Sequence, residues 1–491
     1  MNSERRQFFT ENLITNSLDL VTPRIKSPLD ENFRPASLAN RKFEENCTPV
    51  NVPLEIGLER NDGKISRFTL QVFSDDHPQA HENLKYVERM LKFLLWQRGG
   101  CKVYIAGPKN ICRYIKDIYS PAGLRKFDYL FMSEQVYEKP FTVEICEPDQ
   151  IPPTNDTGKL LGRHLDGCRI GFDLGASDRK VCAVIDGRVV FSEEVIWDPR
   201  NQSDPDYHFC EIMKGINTAS SKLPRVDAIG GSSAGIYIDN KPMVASLFRS
   251  VPQQQYHKIR DLFIRIRNEL NVPLEVINDG DVTALAGSMS LEDNGILGIA
   301  MGSSLAAGYV DMQGHIMGWL NELAFAPIDY NPTAPVDEWS GDIGCGAQYL
   351  SQQCVFRLAP HAGIEIPLDL PDAEKLVFVQ EKLNSGHLGA VKIWQSMGVY
   401  LGYALAHYMK FYDAKHVIIL GRCTSGWGGT LILEGARKVL STEFPEIASK
   451  IQIQLPDEHS RRIGQSIAAA SLPVIIRAKE QSNYSDRSDF I

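Results

Sequence analysis

The sequence lacks the features of a membrane, nucleic-acid-binding or disulfide-bonded protein. It contains no run of about 18 apolar residues, and its start, MNSERRQFFTENLITNSLDL, has neither a long apolar core nor a small-residue cleavage site. The net charge is -9, because 61 acidic residues outnumber 52 basic ones, and no basic patch occurs, which argues against nucleic acid or an acidic membrane surface as partner. The ten cysteines form no CxxC pair, so reduced thiols are favoured over a disulfide framework or a zinc ribbon. We therefore expect a cytoplasmic protein that binds neither membrane nor nucleic acid.

The 491 residues suffice for roughly three domains of about 150 residues each. Residues 1–50 are rich in Pro, Asn, Ser and charge with little periodicity, which predicts a loosely ordered arm. Residues 51–150 show a hairpin around Asn61-Asp62-Gly63, a helical apolar face that ends at Gly99, and a short strand, which together indicate an N-terminal α/β domain of unknown role. Prolines in residues 151–167 mark a linker.

The stretch RIGFDLGASDRKVCAVIDGRVVF, residues 169–191, combines a predicted hairpin with a turn suited to phosphate. Asp173 ends the first strand, and Gly175 and Ser177 follow it. This order leaves backbone amides free to meet anionic oxygens, and the carboxylate can hold Mg²⁺ through water. A plain β-hairpin with a polar turn explains the same residues.

The segment VPLEVINDGDVTALAGSM places Asp279 at the carboxyl end of a strand and at the start of a helix. Open α/β sheets bind their ligands at this edge. An aspartate there can accept the proton of a substrate hydroxyl while that oxygen attacks a phosphoryl group. The alternative is that Asn278 or Asp279 only caps the helix.

Glycine-rich turns follow three further predicted strands. Gly235 ends a stretch in which a backbone can approach a ligand closely, and Gly302-Ser303-Ser304 breaks an apolar strand as a second phosphate cradle would. Gly421 and Gly428 lie between a strand and a helix, where a nucleotide or phosphate can bind. An ordinary loop remains the alternative for Gly235 and for the turn of Gly421 and Gly428.

Four motifs in this order, DLGASDRKV, INDGDVTALAG, GIAMGSSLAAG and VIILGRCTSGWGG, resemble the phosphate, catalytic and adenosine segments of sugar kinases of the actin and hexokinase superfamily. The likeness is greatest to the ROK family of bacterial glucokinases, N-acetylhexosamine kinases and repressors, and it covers about residues 168–473. It implies an α/β fold with two ribonuclease H-like (actin/hexokinase) domains and an interdomain cleft that closes over ATP and a sugar. The first domain would span residues 168–285 and the second residues 286–475, after the extra N-terminal domain and before a C-terminal tail at 476–491.

The resemblance also implies roles for individual residues. Asp279 would be the general base, with Asn278 binding a sugar hydroxyl and Glu322 matching a sugar-binding Glu. Further substrate contacts would come from Gly235 and Ser246. Nucleotide and phosphate contacts would come from Asp173, which also faces Mg²⁺ through water, and from Gly175, Ser177, Lys180, Gly302, Ser303, Ser304, Gly421 and Gly428.

Several positions depart from the family pattern. Asp178 follows Ser177 where the family has Lys or Asn, and it places an anion near phosphate oxygens that Lys180 or a metal can compensate. Phe325 replaces a His that touches sugar and often binds zinc, and Ala347 replaces a second sugar-binding Glu. Only Cys345 survives from the cysteines of the zinc loop. One ligand cannot hold a four-coordinate zinc, so we predict no structural zinc and a small buried role for Cys345.

Two functions follow from these observations. The first is ATP-dependent phosphorylation of a sugar or sugar-like hydroxyl, with Mg²⁺ as cofactor and ATP as co-substrate, and it is favoured because Asn278, Asp279 and Glu322 occur together. The second is a non-catalytic ROK-like ligand sensor or regulatory protein, which the altered glycine turns favour. A repressor of the family would carry a winged helix-turn-helix at its N-terminus. Neither the hairpin around Asn61-Asp62-Gly63 nor the negative net charge is typical of such a domain, so we do not expect DNA binding. A homodimer is expected from the likeness alone.

Overall fold

The computed structural model describes residues 18–456 and 458–475, with only the backbone of residues 458–463. The predicted tail at 476–491 and the first part of the predicted arm, residues 1–17, lie outside the described residues. The chain divides into two compact units. Unit 1 contains the described residues of Met1–Thr157, Ile299–Ala307 and Trp319–Leu455, and unit 2 contains those of Gly158–Gly298, Gly308–Gly318 and Pro456–Ile491. The domain boundaries given above stay predictions.

The described strands are β1 Asn51–Glu59, β2 Ile65–Phe73, β3 Lys102–Ala106, β4 Thr142–Ile145, β5 Cys168–Leu174, β6 Asp178–Ile185, β7 Arg188–Ile196, β8 Ala228–Ser233, β9 Ile236–Ile238, β10 Lys241–Val244, β11 Leu274–Asn278, β12 Ile296–Met301, β13 Leu305–Val310, β14 His416–Leu420 and β15 Gln452–Gln454.

The described α-helices are α1 Ala36–Cys47, α2 Glu82–Arg98, α3 Lys109–Ile118, α4 Lys126–Leu130, α5 Pro205–Ser220, α6 Tyr256–Arg260, α7 Leu262–Leu270, α8 Asp279–Leu291, α9 Gln352–Leu358, α10 Asp372–Asn384, α11 Leu388–Tyr408, α12 Trp427–Glu443, α13 Pro445–Ala448 and α14 Glu458–Ala470. None of these described helices has the length and apolar character needed to cross a membrane.

Unit 2 contains, in the described part of the chain, a five-stranded sheet in the order β11-β8-β5-β6-β7. Strands β5, β6 and β7 form an antiparallel meander, and β8 and β11 continue the sheet parallel to β5. Asp186 and Gly187 join β6 to β7 with φ angles of 45° and 78°, as a tight hairpin turn requires. A meander followed by parallel strands on its other side is the ribonuclease H-like order. The predicted α/β fold class is therefore confirmed.

The apolar core of unit 2 lies between this sheet and helices α5, α6 and α7. Phe172 of β5 stacks on Phe263 of α7, with ring centroids 5.9 Å apart. On β8, a Cβ atom at Gly230 would lie 1.7 Å from the carbonyl oxygen of Ala469 in α14. Gly230 is thus required by the close approach of a helix to the sheet, a role that needs no ligand.

Unit 1 contains a sheet of the order β2-β1-β3-β4, built from the predicted N-terminal α/β domain. A second sheet has the order β13-β12-β14-β15, and its strands β12 and β13 each continue into residues assigned to unit 2. The long helix α11 packs on α12, and a Cβ atom at Gly402 would lie 2.6 Å from Val439. The close packing of these two helices explains why residue 402 is a glycine.

Residues 18–50 differ from the loosely ordered arm that their composition predicts. They include helix α1, on which Ala36, Ala39, Phe43 and Cys47 are buried at helical spacing. Phe43 stacks on Tyr86 of α2 with ring centroids 4.0 Å apart. Three of these four residues are alanine or cysteine, which contribute little to the overall hydrophobicity of the segment. The composition of residues 1–50 therefore did not reveal the apolar face of α1.

Candidate functional site

Asp279 stands at the carboxyl end of β11, as predicted, and begins helix α8. Asn278 is the N-cap residue, because its Oδ1 accepts a hydrogen bond from the backbone N–H of Gly280 at 2.7 Å. Its Nδ2 donates to the carbonyl oxygen of Gly235 at 2.7 Å. Capping is therefore done mainly by Asn278, and Asp279 accepts only a longer bond of 3.1 Å from the same Gly280 N–H. The role of Asn278 in sugar binding stays a prediction.

Asp173 and Asp279 interact electrostatically within unit 2. Burial, and secondarily the negative charge of Asp173, raises the pKa of Asp279 to about 6. Burial also raises the pKa of Asp173, although the Ser232 hydroxyl donates to its Oδ1 at 2.7 Å and Lys180 lies near enough to lower it. β8 lies between β5 and β11 in the sheet, so the carboxyl ends of parallel strands bring the two carboxylates to one edge.

The predicted phosphate turn is closed by Asp178. The Ser177 hydroxyl donates to Asp178 Oδ2 at 3.0 Å, and the Lys180 amine lies 3.4 Å from Asp178 Oδ1. The Gly175 N–H donates to the carbonyl oxygen of Asp178 at 2.9 Å. Trp197 also stabilises the turn, because its Nε1 donates a hydrogen bond to the carbonyl oxygen of Gly175 at 2.9 Å. The groups expected to bind phosphate therefore contact Asp178 in this structure.

Gly235 and Ser246 are joined through the short hairpin β9–β10. Gly235 has a φ of 125°, and a Cβ atom there would lie 2.4 Å from the carbonyl oxygen of Val244. Ser246 begins a 3₁₀ turn, Ser246–Phe248, and accepts a hydrogen bond from Arg200 Nη2 at 3.4 Å. Sequence reasoning missed Arg200, because it belongs to a different 3₁₀ turn, Pro199–Asn201, far away in the chain.

In unit 1, the turn Gly302-Ser303-Ser304 presents exposed hydroxyls. The Gly302 N–H donates to the carbonyl oxygen of Ser304 at 3.0 Å, and the Gly302 carbonyl accepts from the Gln352 N–H at 2.9 Å. A Cβ atom at Gly302 would meet only the Ser304 oxygen, at 3.8 Å. Packing therefore does not demand glycine at this position, which agrees with a cradle left open for a ligand.

Packing explains the glycines of the predicted adenosine turn. A Cβ atom at Gly421, where φ is 100°, would lie 2.5 Å from the Met301 carbonyl oxygen. At Gly428 it would lie 2.4 Å from Trp394 Nε1, which donates to the carbonyl oxygen of Cys423 at 2.8 Å. These glycines shape the turn itself. The neighbouring Trp427, 44% exposed at the start of α12, was not singled out from the sequence.

The segment that resembles the family's sugar pocket packs against helix α2. The backbone N–H of Glu322 donates to the carbonyl oxygen of Trp96 at 2.9 Å. Phe325, which stands at the position of the family's His, lies with its ring centroid 4.3 Å from that of Trp96 and also contacts Phe127 and Phe131. The N-terminal region thus supplies the aromatic partners of Phe325.

A buried ionic cluster adjoins Cys345. Lys92 of α2 lies 3.0 Å from Asp128 and 3.1 Å from Asp342, and Arg89 lies 3.1 Å from Asp342. Burial raises the pKa of the Cys345 thiol to about 12, although the positive charge of Lys92 opposes this shift. The described residues contain no group of three or more His, Cys, Asp or Glu that could hold a metal ion. The absence of zinc from the protein stays a prediction.

Neither a protein-family model nor a curated protein matches the sequence. Solved structures similar to the chain are ROK family proteins. They include a ROK family glucokinase from Streptomyces griseus in complex with glucose and AMPPNP, with 20% identity over 62% of this chain and 99% of that chain and a TM-score of 0.48. The ROK hexokinase from Thermus thermophilus has 17% identity, 62% and 97% coverage and a TM-score of 0.48. A ROK family transcriptional regulator has 18% identity, 63% and 79% coverage and a TM-score of 0.45.

The predicted site residues fall into both units. Unit 2 carries the residues predicted for the base (Asp279), for the metal and one phosphate turn (Asp173, Gly175, Ser177 and Lys180) and for three substrate contacts (Gly235, Ser246 and Asn278). Unit 1 carries those predicted for the second phosphate turn, the adenosine turn and one sugar contact, which are Gly302, Ser303, Ser304, Glu322, Gly421 and Gly428. Their roles toward ligands stay predictions.

Proposed function

We propose that the protein transfers the γ-phosphoryl group of ATP to a hydroxyl of a sugar or sugar-like small molecule, with Asp279 as general base. The observation that carries this proposal is the setting of Asp279. Its carboxylate stands at the carboxyl end of β11, within electrostatic range of Asp173, and has a pKa raised to about 6. The order of the four motifs along the chain supports the same reaction.

The raised pKa suits a general base. Such a base works best when its pKa lies near the working pH, because the group is then ionised and still has a high affinity for the proton. With a pKa of about 6, Asp279 is mostly ionised at neutral pH. It accepts the proton of the acceptor hydroxyl as that oxygen bonds to the γ-phosphorus and the bond to the β-phosphate oxygen breaks, which releases ADP.

Asp173 is the residue that fits a hydrated Mg²⁺ ion. Its Oδ1 accepts from Ser232, and no other hydrogen bond to this carboxylate occurs among the described residues. Magnesium in kinases keeps several waters and takes one or two carboxylates together with phosphate oxygens, so a single aspartate suffices. When bound, the ion would neutralise charge on the phosphates. Asp173 would orient its waters.

The test is ADP formation with a panel of hexoses, amino sugars, sugar acids and polyols. We expect one class of acceptor to stimulate turnover in the wild type, and Asp279→Asn to lower the rate at least about 100-fold, because a general base contributes roughly 10²–10⁴ in rate. Asp261→Asn is the matched control, since Asp261 is an exposed aspartate of unit 2. Equal loss in both variants, or none in Asp279→Asn, would discard the proposed base.

The closed phosphate turn favours a second candidate function, a ligand sensor without phosphoryl transfer. Asp178 engages both the Ser177 hydroxyl and the Lys180 amine, so a nucleotide has to compete with an internal carboxylate. A sensor predicts that a small molecule raises the melting temperature while Mg·ATP does not, and that no acceptor stimulates ADP formation.

A further inference from the structure

Two arginines of unit 2 belong to two neighbouring turns beside Ser246. Arg200 is in the 3₁₀ turn Pro199–Asn201, and Arg249 follows the 3₁₀ turn Ser246–Phe248. Arg200 Nη2 donates to Ser246 Oγ at 3.4 Å, and the Ser250 hydroxyl donates to the carbonyl oxygen of Arg200. The two turns are therefore held against each other by serine contacts on both sides of Arg249.

No carboxylate neutralises this pair among the described residues. Neither arginine forms an ion pair there, and Arg200 Nε is buried without a hydrogen-bond acceptor. Asp198, the nearest acid along the chain, accepts instead from Asn201 Nδ2 at 2.9 and 3.1 Å. Burial, and then the positive charge of Arg249, lowers the pKa of Arg200. Arg200 is partly buried and Arg249 is exposed, so an incoming anion would offset the cost of burying the Arg200 charge near a second positive charge.

Contacts between neighbouring residues place the two arginine turns near the proposed catalytic residues. Ser246 follows Ala245, whose Cα lies 2.8 Å from where a Cβ atom of Gly235 would stand. The Gly235 carbonyl accepts from Asn278, the neighbour of Asp279. Trp197, three residues before Arg200, donates to the carbonyl oxygen of Gly175 in the phosphate turn. The pair thus belongs to the same part of unit 2 as Asp279 and that turn.

We propose that Arg200 and Arg249 bind an anionic group of the acceptor, so that the substrate is a polyhydroxylated carboxylate or phosphate ester and not a neutral sugar. This inference rests on the proposed function and names its substrate class. A guanidinium matches a carboxylate or a phosphate with two parallel hydrogen bonds, which a hydroxyl group cannot accept in the same way. Ser246 Oγ provides a directed polar contact beside that anion.

The test compares thermal shifts, without ATP and at fixed ionic strength, for glucose, gluconate, glucose 6-phosphate and inorganic phosphate. We expect at least one anionic compound to raise the melting temperature where equimolar glucose does not. Arg249→Ala should weaken that binding roughly 10-fold or more, the usual size for a hydrogen bond to a charged group. Arg188→Ala removes an exposed arginine of β7 and should leave it unchanged. The gluconate and glucose 6-phosphate arms separate carboxylate from phosphate.

Three results overturn the inference. They are the absence of any shift with all three anionic compounds, shifts with glucose as large as those with gluconate or glucose 6-phosphate, and unchanged anion binding in Arg249→Ala. Arg200 is partly buried, so truncating it risks unfolding the turn. Arg200→Lys therefore serves as a second variant, which keeps the positive charge but loses the planar guanidinium that donates two parallel hydrogen bonds. It should bind the anionic compound more weakly than the wild type.

Failure of the anion site and failure of the kinase proposal give different results. If an anionic compound binds through Arg249 but no acceptor yields ADP, the anion site stands and the phosphoryl transfer fails. If a neutral sugar yields ADP equally well in the wild type and in Arg249→Ala, the transfer stands and the anion site is wrong. A loss of Mg·ATP binding alone in Arg249→Ala would show that the arginines serve the nucleotide, which also overturns the inference.

Discussion

The hydroxyl of Ser177 donates a 3.0 Å hydrogen bond to the carboxylate of Asp178, its own neighbour in the chain. The same carboxylate lies 3.4 Å from Lys180. An internal anion thus occupies the groups that would otherwise meet phosphate oxygens. If the proposed phosphate turn binds a nucleotide, this contact shows which single substitution would free its Ser177 and Lys180 groups.

Asp178→Asn should strengthen Mg·ATP binding. The variant removes the negative charge that repels phosphate and releases Lys180 from its ion pair, while the similar shape of Asn preserves the turn. For a half-exposed charge a few ångströms from the phosphates, we expect a gain in affinity of about 3- to 10-fold. Isothermal titration of Mg·ATP measures it, with Asp261→Asn as the control for loss of one negative charge. A weaker or unchanged affinity would mean that phosphate does not bind at this turn.

Asp279 should make both activity and stability depend on pH. Its pKa is raised in the folded protein, to about 6 from 3.8, so kcat/KM should fall as the pH drops through about 6 and the base becomes protonated. For stability the sign is opposite. A raised carboxyl pKa stabilises the fold fully below the unfolded value, and this contribution is lost as the pH rises through about 6.

Asp279→Asn should therefore be more stable than the wild type at pH 7 to 8 and equal to it near pH 4. Each unit of pKa shift corresponds to about 1.4 kcal/mol, so the gain should be of order 1–3 kcal/mol. Urea unfolding at several pH values measures the difference. A constant difference across this range would show that Asn acts through packing or capping and not through the charge of Asp279.

Much of the fold could be predicted from local patterns. The hairpin at Asp186-Gly187 and the end of α2 at Gly99, where φ is 83°, both follow from backbone conformations that these residues favour. Asp279 could be placed at a strand end because a short apolar run, Val276-Ile277, precedes it and the apolar residues Val282, Leu285 and Ala286 follow at helix spacing. Local sequence determines such features.

The rest depends on contacts between distant segments. Arg200 reaches Ser246 across 46 positions of the chain, and Phe325 packs on Trp96, which lies in the region whose role the sequence left open. Gly428 lies against Trp394, which is 34 positions earlier in the chain, and its role toward a nucleotide stays a prediction. No periodicity or motif reports which distant side chain occupies a turn.

The two glycine turns of unit 1 should respond differently to alanine. Gly428→Ala forces a Cβ atom to 2.4 Å from Trp394 Nε1, so we expect a loss of stability of about 1–3 kcal/mol from overpacking. Gly302→Ala meets nothing closer than 3.8 Å and should leave stability nearly unchanged while weakening Mg·ATP binding. Urea unfolding and nucleotide titration of both variants measure these effects. If Gly302→Ala leaves nucleotide affinity intact, this turn is not a phosphate cradle.

Lys92→Met should be among the most destabilising changes in unit 1. Lys92 is fully buried between Asp128 and Asp342, and its removal leaves two buried carboxylates with less neutralising charge, which typically costs about 3–5 kcal/mol. Lys102→Met is the matched control, because Lys102 pairs with Glu144 at a partly exposed site where an ion pair contributes less than about 1 kcal/mol. Urea unfolding of the two variants compares them directly. Similar losses of stability in both variants would mean that the stability of the buried cluster does not depend on the Lys92 charge. The aromatic contacts of Phe325 with the N-terminal region would then be the main stabilising contacts.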